Sequence, residues 1–145
     1  MKLSCIIAFA IAATVSVAMA EDTRAKAELA KFEGTWQLVS AISDGARADD
    51  ETVKKIRVVI KGSKHSVFFG DEPIAKDVPF KIDPSASPKT TDDMLPDGRI
   101  IRGIYKLDRD TLTNCVNKPD QDRPTEFASK AGSGHTLRVF QRVKP

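Results

Sequence analysis

The sequence is poor in the residues that staple a fold or carry out chemistry. It holds two cysteines, Cys5 and Cys115. Cys5 lies in an N-terminal apolar stretch, so the body of the chain has a lone thiol and no internal disulfide framework. Two histidines, His65 and His135, show no ligand spacing with that thiol or with the scattered carboxylates, so no metal is expected. There is no Cys-x-x-Cys-His run for haem attachment and no Gly-rich phosphate loop in a strand-to-helix context, so no cofactor is expected. Aromatics make up 6% of the chain, with one Trp and one Tyr, which is modest for a protein that wraps a large apolar ligand. Neither sign of charge dominates. With Lys2 set aside, the 23 basic residues fall to 22 against 20 acidic ones, a net charge of +2. The signs are interspersed, and the lack of a basic stripe excludes nucleic acid as a partner.

Only one long hydrophobic run is present. "MKLSCIIAFAIAATVSVAMA" has a single Lys2, an uncharged apolar stretch and a small-residue ending. That is the pattern of a secretory signal peptide, with cleavage expected after Ala20 and a periplasmic or secreted product. The apolar part is near the lower limit of about 17 residues for a spanning helix, and no stop-transfer cluster follows. No membrane span is therefore expected after cleavage. Cys5 stands too early to be a lipoprotein acceptor. Residues 21–145, about 125 in number, are enough for one domain with a real core.

In that region the pattern is mostly period two. "EDTRAKAELAKFEG" predicts a short helix ended by Gly34, with Leu29 and Phe32 on one face. "TWQLVSAI" alternates, placing Trp36, Leu38 and Ile42 on one face. "DDETVKK" fits a single helical turn. "IRVVIK" and "HSVFFG" flank "GSK" as a tight hairpin. "DVPFKID" is a strand in which Pro79 implies an edge or a bulge. "TTDDML" is a polar strand, and "RIIRGIYKL" and "TLTNCVN" form a second hairpin about "DRD". "HTLRVFQRV" closes the chain after a long irregular stretch. About eight short strands without crossover helices predict an all-β, mainly antiparallel fold, closed as an up-and-down barrel with a short N-terminal helix.

"GTW" at the start of the first strand, with "RVFQRV" at the end, resembles the signature of lipocalins and related calycin barrels. In those, a Trp plugs the closed end and an Arg of the last strand packs across it. The resemblance implies that Gly34, Trp36 and either Arg138 or Arg142 close the barrel. The segments "ELAKFEGTWQLVSAISDG", "VKKIRVVIKGSKHSV", "FKIDPSASPK", "GIYKLDRDTLTNC" and "RPTEFASKAGSGHTLRVFQR" cover most of Glu28 to Arg142. Their order is similar to that of a lipocalin-like family of secreted domains, expanded in planctomycete bacteria, with no established activity. "TTDDMLPDGRI" is more polar than its counterpart in such proteins, which argues against an apolar mouth near Asp92 and Asp93.

Four residues are candidate ligand contacts. Tyr105 in "GIYKL" shares a face with Ile101, Gly103 and Leu107, and either offers its hydroxyl to a ligand or caps the core. Gly103 implies a close backbone approach. Cys115 shares a face with Thr111 and Thr113, where a thiol lining a cavity is one reading and an inert buried thiol the other. Arg123 and Glu126 in "DRPTEF" would recognise a polar head group if their loop folds over the barrel. The alternative is a structural clasp, stiffened by Pro124 and anchored by Phe127. "GSGH" at 132–135 has Ala131 where a nucleophile elbow needs Gly, so it reads as a bend. Asp92 and Asp93 read as solvated turn residues.

These features fit a non-catalytic exported barrel that holds a small apolar or amphipathic ligand. The cup would be lined by Leu38, Val58, Phe68, Phe80, Tyr105 and Phe140. A second reading is a packed barrel whose "DRPTEFASKAGSG" and "DDETVKK" loops bind an envelope protein or surface polymer. An enzyme using Cys115 or Glu126 ranks last, because no base or oxyanion donor is spaced to serve either one.

Overall fold

The computed structural model describes residues 8–145. The first part of the expected signal sequence, with Lys2 and Cys5, lies outside the described residues. Helix α1 (Ala8–Phe32) is longer than expected and runs through Ala20 without a break. In the part of α1 before Ala20, Val15, Val17 and Met19 are exposed. Its last turns meet the core. Glu28 and Phe32, four residues apart on one helix face, are both buried, with Leu29 packed beside them. Among the described residues no helix is long and apolar enough to cross a membrane.

The strands follow as β1 (Gly34–Ser43), the two-residue β2 (Ala46–Arg47), and, after the one-turn helix α2 (Asp50–Lys55), β3 (Ile56–Lys61) and β4 (Lys64–Phe69). Then come β5 (Glu72–Asp83), β6 (Lys89–Met94), β7 (Ile100–Asp108), β8 (Thr111–Val116) and β9 (Thr136–Arg142). Each pairs antiparallel with its neighbour, and β1 pairs with both β3 and β9. The sheet is thus a closed eight-stranded barrel with β2 as a short flap, and all eight expected strands are present. Asp49 caps α2 by accepting from the Thr52 backbone N–H at 2.8 Å.

Register decides which side chains enter the barrel. In the β3–β4 hairpin Val58 pairs with Val67, and Arg57 with Phe68. Val58 faces inward, so Val67 does too, and Phe68 faces out under the Arg57 guanidinium at 4.7 Å. The expected inward Phe68 is corrected on this point. β1 carries a bulge between Leu38 and Ser40. It reverses the alternation, so Ala41 rather than Ile42 packs on the core. Pro79 lies in an interior strand. The irregularity it implied is a bulge, with Asp77 at φ 50° beside register shifts in the β4–β5 ladder.

Trp36 is fully buried at the start of β1, and its indole Nε1 donates to the Phe32 carbonyl at 2.8 Å. Arg142 stacks over the indole at 4.3 Å and donates to the carbonyls of Lys31 (2.6 Å) and Glu33 (2.5 Å). Carbonyls 31–33 at the end of α1 lack partners along the helix, and the two side chains supply them. Arg142 also reaches Asp110 at 3.0 Å. Gly34 makes room for this. Its φ is +128°, and a Cβ there would stand 3.2 Å from Arg142 Nη1. One contact set therefore joins helix end, first strand and last strand, with Arg142, not Arg138, on the Trp.

Candidate functional site

The barrel interior is filled mostly by side chains. Phe32 sits edge-on to Tyr105 with ring centroids 5.0 Å apart, and Phe80 lies 6.2 Å from Phe32. Above this apolar floor remains a cavity of about 90 Å³. Apolar wall comes from Val58, Val67, Phe80, Leu112 and Phe140. Polar wall comes from His65 of β4, Thr91 and Asp93 of β6, Asn114 of β8 and Arg138 of β9. The His65 and Asp93 side chains keep 17% and 23% of their surface exposed, so the cavity is not sealed.

Those polar groups are poorly satisfied. His65 Nε2 stands 3.3 Å from Asp93 Oδ2, yet neither imidazole nitrogen is in a formed hydrogen bond. Asn114 Oδ1 is buried without a partner. Arg138 lies across from Asn114 in the β8–β9 ladder. It makes no hydrogen bond or ion pair with another described residue. Desolvation pulls its pKa below the ordinary guanidinium value, and the charge of Asp93 partly offsets this. Buried polar groups normally find partners, because each one left alone costs free energy. Several facing one cavity mark a place where something else can supply the bonds.

Of the four expected ligand residues, Tyr105 alone lines this cavity. Its hydroxyl donates to Glu28 Oε1 at 3.3 Å, so it serves as a core cap. Burial, and then the Glu28 charge, push the Tyr105 pKa up. Glu28 is itself held by Lys89 at 2.7 Å and Lys31 at 3.1 Å. Burial works against its ionisation, but the lysine hydrogen bonds prevail and its pKa is lowered.

Cys115 is not among the residues lining this cavity. It pairs with Ile104 and Leu137, whereas the cavity is lined by the alternate residues Tyr105, Asn114 and Arg138. The thiol therefore lies on the outer face of the wall, fully buried beneath the 117–135 loop, with Sγ 3.4 Å from the Ala128 carbonyl. Burial raises its pKa. His65 is on the inner face, across the wall from the thiol.

Arg123 and Glu126 are not brought together. Arg123 donates to the carbonyls of Thr91 (3.0 Å) and Gly103 (2.8 Å) and pairs with Asp92 at 2.8 Å. Glu126 is exposed and pairs with Lys130. The clasp reading describes Arg123, and Asp92 is a strand residue holding it, not a solvated turn. The buried Pro124 adds to the clasp. The loop is also pinned to the β1–β2 turn, where Gly134 donates to Asp44 Oδ1 at 2.8 Å and Asp44 to the His135 carbonyl at 2.9 Å. Gly103 is the close approach expected of it, since a Cβ there would stand 2.7 Å from Val116 Cγ1.

This arrangement predicts a thiol that reacts only when the clasp opens. Cys115 should resist an aromatic disulfide reagent in the native protein. Arg123→Gln should raise the rate by about tenfold or more, as local opening that loses about 1.4 kcal/mol of protection becomes tenfold more populated. An equal rate in both proteins would mean that Arg123 does not hold the loop.

Sequence reasoning missed His65, Thr91, Asp93, Asn114 and Arg138. The signal was available for Asp93. It shares a β6 face with Thr91, and a polar residue at an inward strand position is the informative exception. No family model, curated protein or solved structure matches the chain.

Proposed function

We propose that the protein is an exported, non-catalytic binding barrel of the lipocalin-like kind, with its ligand in the interior cavity. The observation that carries this reading is the convergence of unpaired polar groups on one partly open space inside a closed barrel. Catalysis has little support, since Cys115 and Glu126, the nucleophile candidates, are outside the cavity. Export is supported by the signal pattern of the sequence. It is also supported by α1, in which the described side chains that join the core, Leu29 and Phe32, lie after Ala20 while Val15, Val17 and Met19 are exposed. The order of the resembling segments favours kinship with the planctomycete-type secreted domains.

The alternative, a packed barrel acting through its loops, loses ground because the 117–135 loop is fastened to the wall by Arg123 and Asp44. The ligand is also smaller and more polar than an apolar cup would hold. The cavity of about 90 Å³ is below the range of about 300–1,000 Å³ typical of drug-sized ligands.

The test is native mass spectrometry of the protein expressed as the full chain in a bacterial host and purified gently from the periplasm. The expected spectrum shows a mass excess over Glu21–Pro145 that disappears on denaturation. A bare mass, unchanged when the protein is desalted from cell extract at low temperature, contradicts interior binding. A product retaining residues 1–20 contradicts export.

A further inference from the structure

We propose that the cavity is a site for a small monocarboxylate, whose carboxylate is held by the Arg138 guanidinium. The inference rests on the interior-binding reading and names its ligand class.

Three observations lead to it. The first is the freedom of Arg138. The two terminal-strand arginines have different roles. Arg142 is committed to Trp36, the helix-end carbonyls and Asp110. Arg138 enters the cavity with its donors uncommitted. A guanidinium presents a rigid fork of N–H donors and has no acceptor, so its natural complement is a planar oxyanion. A carboxylate matches that fork with two parallel bonds.

The second observation is charge. Asp93 lines the same cavity and is near enough for its charge to act on Arg138. Because Asp93 already offsets part of the Arg138 charge, a ligand with one negative charge meets less repulsion there than a ligand with two. Phosphate, sulfate and dicarboxylates are disfavoured on that ground. Asp93 and Asn114 Oδ1 are also acceptors that a hydroxyl or amino substituent of the acid can satisfy.

The third is size and lining. About 90 Å³ is smaller than the roughly 150 Å³ of a cavity that takes benzene. The space suits an acid of a few heavy atoms, with Val67, Leu112 and Phe140 as contacts for a short alkyl part.

The test is an NMR titration of the isotope-labelled protein in carboxylate-free buffer. Acetate and propionate are compared with acetamide, propionamide and phosphate. The acids should shift cavity resonances saturably, including the Arg138 Nε–H and the Asn114 amide, while the amides and phosphate leave them unmoved. Arg138→Met should weaken acid binding at least about tenfold, as removal of a charge-assisted pair implies. Arg138→Lys, which keeps the charge without the fork, should weaken it by less. Either variant must first give the wild-type pattern of amide resonances away from the cavity.

Amides binding as well as acids, or unchanged acid binding in a folded Arg138→Met protein, would overturn the carboxylate assignment and leave interior binding intact. Failure of all five probes to move cavity resonances, with a bound mass in the native spectrum, has the same meaning. Failure of all five with a bare mass removes both readings.

Discussion

Trp36→Ala should destabilise the protein by about 3–5 kcal/mol, the range for emptying a large buried aromatic site. The indole is fully buried, and three kinds of contact vanish with it. Its volume plugs the barrel end between β1 and α1. Its N–H satisfies the Phe32 carbonyl at the helix terminus. Its face receives the Arg142 guanidinium at 4.3 Å. The loss is expected at the upper part of the range, because the arginine is left over a void. Equilibrium urea unfolding checks it, with circular dichroism as the probe since the only fluorescent Trp is removed. A loss below about 1 kcal/mol would place the indole at a tolerant surface position.

Arg142→Met is the second large effect. The methionine keeps an apolar stem over the indole but loses every polar bond of the guanidinium. Two of those bonds go to carbonyls at the end of α1, and one goes to Asp110. Hydrogen bonds to a charged group contribute about 1.5–3 kcal/mol each. The Arg142 and Asp110 side chains keep 24% and 39% exposure, so water replaces part of what is lost. A net cost of about 3 kcal/mol follows. Arg142→Lys should recover little, since an ammonium cannot stack on the ring and fork to two carbonyls together. Hydrogen exchange should show faster opening at the last turn of α1 and the ends of β1 and β9. Exchange unchanged at those three places would mean that Arg142 is not the tie between them.

Much of this barrel is visible in the pattern of the residues. The eight strands announce themselves by alternation, and the turns by "GSK", "DRD" and "PDG". Gly34, Trp36 and a terminal arginine were legible as closure because each has a geometric reason to be there. Phe68 was misplaced although the two-residue loop of its hairpin fixes Val58 opposite Val67, which sends Phe68 outward. The bulge at Val39 was not legible, because nothing in "QLVSAI" requires an extra residue. Register also hid the site. Cys115 drew attention as a lone thiol, but one step along β8 Asn114 points inward and the thiol points out. Arg138 and Arg142 occupy the same strand face with the same chemistry. Only the pairing of Trp36 with Arg142 assigns one to the plug and frees the other for the cavity.

That division of labour is the centre of the account, and one paired measurement tests it. Urea unfolding of Arg138→Met and Arg142→Met should give opposite results. Arg142→Met should lose about 3 kcal/mol. Arg138→Met should be as stable as the unliganded wild type or more stable, because it replaces a guanidinium that lacks protein partners with an apolar side chain. Equal, large losses in both variants would mean that Arg138 is also a structural tie, and that the interior offers no free charge for a ligand.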